Sequence, residues 1–502
     1  MSTSKISKLV KSNAFLIGFL SLITFVTRII NIKVIPIFTD EAIYIRWAQI
    51  GLQDPAQRYI SLTDGKQPLL TWIMYPFLKI FSDPLIAGRM VSVFAGVGMM
   101  LGLYCVAKTL FGKKTAVLTS LIYIVSPFTF VYDRLALMDS LLAFFVIWSI
   151  YFQIKLIQEM KFVWVLLFGI TAGLGLLTKS SAAFGLYLIP FGILLFKKNY
   201  FKISILLKWI VYSGIASIIA EIMYNSLRLS PWFYIIKQKN YSFIYTVPEF
   251  LSHPFEFLIP NLIGLSQMLF GYLTIPITAL IFARLIQGFM RKETNVIYVF
   301  VCFLFPFLSL AAFGKVFFPR FILFMTIPLF ILAADALREL LVIVKKRSSI
   351  VLLVTCLMLL YPGIQVILLM NAPVSAAIPD TDTRQLLTDW PSGYGVSDVV
   401  EFLKEKAKYE RVVIGTEGTF GLFPAVFEIY LQQNPNVEIH GYWPVGKVPD
   451  ELLKSSETRP TYLVFKEKQE IPSDWPLKLI AKYQRGNGNT YLLFYQVVPE
   501  SI

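Results

Sequence analysis

Residues 14–44 of this 502-residue chain read AFLIGFLSLITFVTRIINIKVIPIFTDEAIY. The run from Ala14 to Ile30 is mostly apolar and approaches the roughly 20 residues that a membrane-spanning helix needs. Asp40 and Glu41 follow shortly after it. The stretch therefore predicts a transmembrane helix with a pair of acidic residues just beyond one end.

Three lysines, Lys5, Lys8 and Lys11, precede this run, so a cleaved signal peptide also has to be considered. No small-x-small cleavage pattern follows the run, and further apolar runs come after it. A first transmembrane helix is therefore the better interpretation.

The composition of the chain is that of a membrane protein. Hydrophobic residues make up 56% and charged residues only 15% of the sequence, whereas soluble globular chains carry about 25% charged residues. The net charge of +15 would also suit nucleic acid, but the basic residues fall in short clusters between apolar runs, as in the cytoplasmic loops of membrane proteins. Membrane lipids are therefore expected partners, and nucleic acid is not.

The apolar runs recur up to residue 371 and predict a mainly α, polytopic fold with about 11 spans. If the N-terminus is cytoplasmic, the basic clusters at Lys113, Lys161, Lys197, Arg291 and Lys345 all fall on the inner side of the cell (plasma) membrane. The C-terminal segment then lies outside. The predicted spans are 14–31, 84–110, 115–132, 139–157, 162–178, 181–196, 204–224, 260–285, 294–313, 319–341 and 348–371.

Two connections on the outer side are long. The first, Asn31–Asp83, contains the helical stretches Ala42–Gly51 and Pro68–Phe81, which we expect to lie horizontally at the interface. The second, Asn225–Ile259, is rich in aromatic residues. These aromatics fit an interfacial belt, and a lid over a lipid-linked substrate is the alternative.

The character of the sequence changes after residue 371, which predicts a membrane domain at 1–371 and a soluble extracytoplasmic α/β domain at 372–502. Its predicted elements are helices at 396–406 and 423–432 and strands at 411–414, 461–465 and 490–497. The glycine-rich stretch 415–421 lacks the GxGxxG spacing of a dinucleotide site. It is better explained as a tight turn.

Charged side chains gather at the predicted outer ends of the spans. A charge at the bilayer centre costs about 2.5–3.5 kcal/mol, so charges near spans are often functional. Each also has a structural explanation, since the acids can cap helices and the cations can extend to headgroups. Their concentration on the side that disfavours cations indicates a site formed by Asp40, Glu41, Lys66, Arg89, Arg134, Asp139, Lys179, Lys315 and Arg320.

Such a set of groups suits sugar transfer from a lipid phosphate. The acceptor hydroxyl must lose a proton as it attacks the anomeric carbon, and a carboxylate can act as the general base. The departing lipid phosphate gains negative charge, which fixed cations stabilise in a dry site.

The order of these motifs resembles the GT-C superfamily of integral membrane glycosyltransferases, especially the protein O-mannosyltransferase and aminoarabinose transferase branch. The resemblance covers roughly residues 14–340. It is carried by Asp40-Glu41 after one span, Lys66-x-Pro68-Leu69, Arg89, Arg134 with Asp139-Ser140-Leu141-Leu142, Gly173–Lys179, and Lys315 with Pro319-Arg320.

The resemblance implies that Asp40 is the catalytic base, that Glu41 supports it, and that Lys66 and the outer arginines and lysines bind the donor phosphate. It also implies a polyprenyl-phosphate-sugar donor, inversion at the anomeric carbon, and a protein, lipid or glycan acceptor. Aminoarabinose transferases have a metal-holding acid before the matching lysine, whereas this chain has Gly65. No cofactor is therefore predicted, and His253 is only a weak candidate ligand for a divalent metal.

Two other functions fit the same residues. A transporter or flippase of a lipid-linked or anionic solute would use the cations for binding, but it should show charges at the membrane midplane and related halves with broken helices. A non-catalytic scaffold would use the acidic pair only as a helix cap.

Overall fold

The helices of the membrane part follow the apolar runs of the sequence. The computed structural model describes residues 13–196, 202–344 and 348–499; the predicted basic clusters at Lys5–Lys11, Lys197–Lys198 and Lys345–Arg347 lie outside these ranges. The chain is mostly helical, with many apolar helices and a small C-terminal sheet domain, as predicted. The α-helices of the membrane part are Asn13–Ile29, Pro84–Phe111, Lys113–Val125, Pro127–Tyr132, Met138–Glu159, Phe162–Thr178, Phe184–Tyr187, Ile203–Asn225, Pro254–Leu273, Ile275–Met290, Thr294–Phe313, Leu323–Thr326, Leu329–Val344 and Ser348–Asn371.

Proline interrupts several of the predicted spans, because it lacks the backbone N–H that would continue the helix and its ring clashes with the preceding turn. The run predicted as one helix at 260–285 is two helices that meet just before Pro276 at an angle of 111°. The 319–341 run is likewise bent by 51° near Pro328. Pro127 divides the predicted 115–132 helix, and 181–196 is a series of short helical turns around Pro190. These single-helix predictions were wrong.

The number of membrane crossings is only partly fixed by helix length. Among the described residues, four helices are long and apolar enough to span a membrane, or up to six if each bent pair is one span. The other predicted spans are shorter apolar helices or broken segments. The prediction of about 11 spans therefore stays a prediction.

The two long loops are helical as well. The first contains Thr39–Gln53, here called the first-loop helix, and Leu69–Ile80, joined by short 3₁₀ turns; the second contains Phe233–Phe243 and Val247–Ser252. The first-loop helix is buried deeply, with Ala42, Ile45 and Ala48 fully inaccessible. A Cβ at Gly88 would lie 2.7 Å from the Ile45 side chain. This glycine therefore lets Pro84–Phe111 approach the first-loop helix closely.

The C-terminal domain is an α/β unit with a five-stranded mixed sheet. Its strands are β1 Val412–Glu417, β2 Val437–Tyr442, β3 Thr461–Phe465, β4 Leu477–Gln484 and β5 Tyr491–Val497, in the order β2-β1-β3-β5-β4. β1 pairs in parallel with β2 and β3, and β5 pairs antiparallel with β3 and β4. Its helices are Val396–Lys406, Leu422–Leu431 and Asp450–Ser456.

The glycine-rich stretch after β1 is a tight turn, as predicted. Gly418 and Gly421 have φ angles of +133° and +104°, which favour glycine. The Glu417 carboxylate accepts hydrogen bonds from the backbone N–H groups of Lys466, Glu467 and Lys468. These amides are the kind of group that binds a phosphate in nucleotide sites, and here they hold the protein's own carboxylate.

The C-terminal domain is docked directly on the first loop. Phe38 and Ser392 form an antiparallel bridge, and the Thr39 N–H and hydroxyl both donate to the Pro391 carbonyl. Further along the first-loop helix, Arg46 pairs with Glu428 at 2.9 Å. The backbone immediately before Asp40 is therefore held by the chain that enters the C-terminal domain.

Candidate active site

Asp40 and Arg320 form an ion pair between two segments far apart in sequence. Asp40 is the second residue of the first-loop helix, where the helix dipole favours a negative charge. Its Oδ2 lies 3.0 Å from Nη2 of Arg320, and the two side chains remain 28% and 12% exposed. The guanidinium also contacts the rings of Phe318 and Phe38. The carboxylate is thus anchored on one side and accessible on another.

Lys66 belongs to the same charged cluster. Its half-buried ammonium lies 5.3 Å from the centre of the Phe243 ring. Burial lowers the pKa of Lys66; the nearby Asp40 opposes this effect, and Lys179 adds to it. The neighbouring Gln67 donates to Ser180 at 2.6 Å, which ties the Lys66 turn to the segment after Lys179.

Asp139 and Lys179 add a second ion pair to the cluster. Lys179 Nζ lies 2.7 Å from Asp139 Oδ1 and 4.5 Å from the centre of the Phe321 ring, next to Arg320. Asp139 lies in the first turn of Met138–Glu159 and is almost fully buried. The structure therefore brings together five of the predicted residues: Asp40, Lys66, Asp139, Lys179 and Arg320.

Glu41 and Arg89 lie beneath this cluster as a fully buried pair. Arg89 donates two hydrogen bonds to the Glu41 carboxylate and three to the carbonyls of Ile32, Ile35 and Pro36. All five of its N–H groups are therefore used. Glu41 also accepts from the amides of Phe38 and Ala136. The geometry gives Arg89 a supporting role in place of the predicted contact with the donor phosphate.

Arg134 also differs from its predicted role. It is buried, and its guanidinium donates to the carbonyls of Thr27, Ile30 and Asn31 at the end of the first helix. Such carbonyls lack partners within a helix. Arg134 therefore caps the first membrane helix.

Lys315 and His253 lie against other parts of the second loop. Lys315 Nζ is 3.2 Å from the Tyr241 carbonyl and 3.5 Å from Glu249. His253 is exposed and faces Glu256 at 3.5 Å. Within the ranges that the structure describes, no three His, Cys, Asp or Glu side chains are grouped as metal ligands. The Lys315 backbone N–H also donates to the carbonyl of Phe243, whose ring contacts Lys66, so Lys315 lies next to the Asp40 cluster while its side chain points to the second loop.

Three further residues at the site were not predicted. Asp64 pairs with Lys239 at 2.6 Å, next to the Lys66 turn. Tyr44, one turn after Asp40, is buried in the field of Asp40 and Arg320. Asp382, in the linker before the C-terminal domain, is buried in the field of Arg320 and Asp139. Only Tyr44 had a signal, its spacing of one helical turn from Asp40.

Comparison with known proteins gives one family match. Residues 65–224 match the family model of dolichyl-phosphate-mannose-protein mannosyltransferase. The sequence matches no curated protein.

Solved structures resemble the whole chain. ArnT from Cupriavidus metallidurans in the apo state is 15% identical, with a TM-score of 0.58 over 97% of both chains. ArnT bound to undecaprenyl phosphate is 13% identical, with a TM-score of 0.57 over 100% of this chain and 99% of that one. The oligosaccharyltransferase AglB of Archaeoglobus fulgidus, in complex with an inhibitory peptide and a dolichol-phosphate, is 14% identical, with a TM-score of 0.51 over 92% of this chain and 70% of that one.

The chain thus has the fold of the GT-C integral membrane glycosyltransferases, and it is a multi-pass membrane protein. Within that superfamily the resemblance is to the protein mannosyltransferase and ArnT branch, as the sequence predicted. The two comparisons together support a lipid-phosphate-dependent glycosyltransferase as the class.

Proposed function

We propose that this protein transfers a sugar, mannose or another hexose, from a polyprenyl-phosphate donor to a protein, lipid or glycan acceptor on the extracytoplasmic face. The observation that carries the proposal is the convergence of Asp40 and Arg320 with Lys66, Lys179 and Asp139 at one place. A carboxylate beside several cations matches the two electrostatic needs of the reaction.

In the proposed reaction, the acceptor oxygen attacks the anomeric carbon while Asp40 takes the hydroxyl proton. The bond between the anomeric carbon and the phosphate oxygen breaks, and the lipid phosphate keeps the electron pair. Lys66, Lys179 and Arg320 stabilise the charge that develops there, because such interactions are strong in a water-poor site. Attack opposite to the leaving phosphate inverts the anomeric centre. Glu41 and Arg89 hold the first-loop helix in place.

The proposal can be tested with purified protein in vesicles that contain a labelled polyprenyl-phosphate sugar. A transferase moves the label onto an acceptor covalently, whereas a transporter or flippase moves the intact lipid across the bilayer. Translocation without any new bond would contradict the proposal. Mass spectrometry of glycans from cells with and without the chain would then identify the sugar and the acceptor.

Lys66→Met is expected to lower kcat/KM for the donor about 100-fold, because a group that stabilises the leaving phosphate is lost. The exposed Lys79 of the neighbouring helix offers a matched control, and Lys79→Met should leave kcat/KM unchanged. Equal kinetics for Lys66→Met and the wild type would remove Lys66 from donor binding.

The donor KM is also expected to depend on alkaline pH. Since burial lowers the pKa of Lys66, its ammonium is charged below that pKa and loses its charge at a lower pH than an ordinary lysine. The donor KM should therefore rise at alkaline pH in the wild type. Lys66→Arg should flatten this rise, because a guanidinium stays protonated. Identical pH profiles for the two proteins would contradict the assignment.

A further inference from the structure

Asp382 connects the C-terminal segment to the walls of the membrane site. It lies in the short helix Asp380–Thr383, after the last membrane helix. Its side chain is buried, and its Oδ2 accepts hydrogen bonds from the hydroxyls of both Tyr132, at 2.5 Å, and Tyr272. One carboxylate oxygen thus links three segments that are distant in sequence.

The two tyrosines lie at the ends of helices in the membrane part. Tyr132 is the last residue of Pro127–Tyr132 and precedes the segment that leads to Asp139. Tyr272 lies at the end of Pro254–Leu273, beside the 111° bend. The linker also fits closely here, because a Cβ on Gly271 would lie 2.9 Å from Pro379.

These helix ends adjoin the turn that carries Arg320. The helix Pro254–Leu273 packs against both Pro319–Ile322, which contains Arg320, and Pro127–Tyr132. The rings of Phe128 and Tyr272 stack at 4.4 Å. We therefore expect a displacement of the helix Pro254–Leu273 to disturb the Arg320 turn, because packed elements cannot shift independently.

The ionisation of Asp382 is influenced by the same neighbours, Tyr132, Tyr272 and Arg320. Burial raises the pKa of Asp382 to about 6, while hydrogen bonds from Tyr132 and Tyr272 and the charge of Arg320 act in the opposite direction. The nearby charge of Arg320 favours the ionised form of Asp382, and ionised acceptors form the stronger hydrogen bonds.

We propose that Asp382 is a positioning residue of the site: by holding Tyr132 and Tyr272 it fixes the turn that presents Arg320 to Asp40 and to the lipid phosphate. The role in transfer rests on the proposed function, but the role in placing Arg320 does not. The segment that enters the C-terminal domain would then complete a site whose other residues all come from the membrane part.

The test compares five variants with the wild type in transfer and in binding of undecaprenyl phosphate. Asp382→Ala is expected to lower kcat about 100-fold, since a misplacement of about 1 Å can have that effect, and to weaken binding of undecaprenyl phosphate measurably. Asp382→Asn keeps an oxygen that can accept from both tyrosines, so it should recover most of the loss. Asp380→Ala, in the same turn but exposed, is the control and should match the wild type.

The fourth variant, Tyr132→Phe with Tyr272→Phe, should resemble Asp382→Ala. Adding Asp382→Ala to it should cause little further loss, because residues that act as one unit are not additive. The proposal is overturned if Asp382→Ala binds undecaprenyl phosphate like the wild type, if its losses equal the loss of folded protein, or if Asp382→Asn is as impaired as Asp382→Ala. If the wild type bound this lipid without any transfer, the proposed function would be rejected. The binding data would still test whether Asp382 positions Arg320.

Discussion

Asp40→Asn is expected to reduce sugar transfer about a thousandfold or more, because it removes a general base while keeping the size of the side chain. An amide cannot take the proton of the acceptor hydroxyl. It also cannot balance the positive charge of Arg320, which lies 3.0 Å away. Initial rates of label transfer from the polyprenyl-phosphate donor would measure the effect.

The matched control is Asp54→Asn at the other end of the same helix. Asp54 is exposed and accepts the Ala56 N–H, an interaction that an asparagine oxygen can keep. This variant should retain full activity. If Asp40→Asn were active while inserted and folded, another group would have to be the base, and the proposed mechanism would fail.

Arg89→Met is expected to destabilise the protein by about 3–5 kcal/mol, because it leaves the buried Glu41 carboxylate without its cation. Both side chains are fully inaccessible, and Arg89 also binds three carbonyls of the segment that precedes Asp40. Thermal unfolding in detergent would show a large fall in Tm. Combining Arg89→Met with Glu41→Gln should recover part of the loss, since the unpaired charge is then removed.

Lys33→Met is the corresponding control at the surface. Lys33 pairs with Asp83 at 3.1 Å, but its side chain is 58% exposed, and exposed ion pairs contribute only about 0–1 kcal/mol. The alternative role for Arg89, direct contact with the donor phosphate, would affect donor binding and leave stability unchanged. If Arg89→Met kept its Tm but bound the donor poorly, Arg89 would contact the phosphate as the sequence predicted.

The location of the helices was largely predictable, because a long apolar run in a membrane protein can satisfy its backbone only as a helix. Met138–Glu159 and Thr294–Phe313 lie within two residues of the predicted bounds. The bend before Pro276 was not predicted, although the proline was visible in the sequence. A proline can interrupt or merely kink a membrane helix, and neighbouring groups decide which.

The C-terminal domain was also predicted only in part. The central strands β1, β3 and β5 are buried and apolar, and the sequence predicted all three. β4 and β2 are the two edge strands, and both were missed although each carries a short alternation of apolar and polar residues, as in Leu477, Leu479, Ala481 and Tyr483 of β4. Such short alternating runs are hard to separate from loops in sequence, and pairing with a neighbouring strand is what makes them part of the sheet.

The sequence by itself determined that this is a membrane protein, and its resemblance to the GT-C superfamily led to the proposal of Asp40 as the base. Apolar run lengths and the position of basic clusters predict the membrane protein, because a charge within a span is costly to place. These properties depend only on residues that are close together in the chain.

Only the tertiary structure decided what each cation does. Arg89, Arg134 and Arg320 look alike in sequence, yet the guanidinium groups of the first two are bound to backbone carbonyls, and in Arg89 also to a buried carboxylate, while Arg320 faces the accessible Asp40. Asp382 joins the site from a position more than 300 residues after Asp40. The physical reason is that the role of a charged group depends on which partners and how much water surround it, and folding alone brings those partners together.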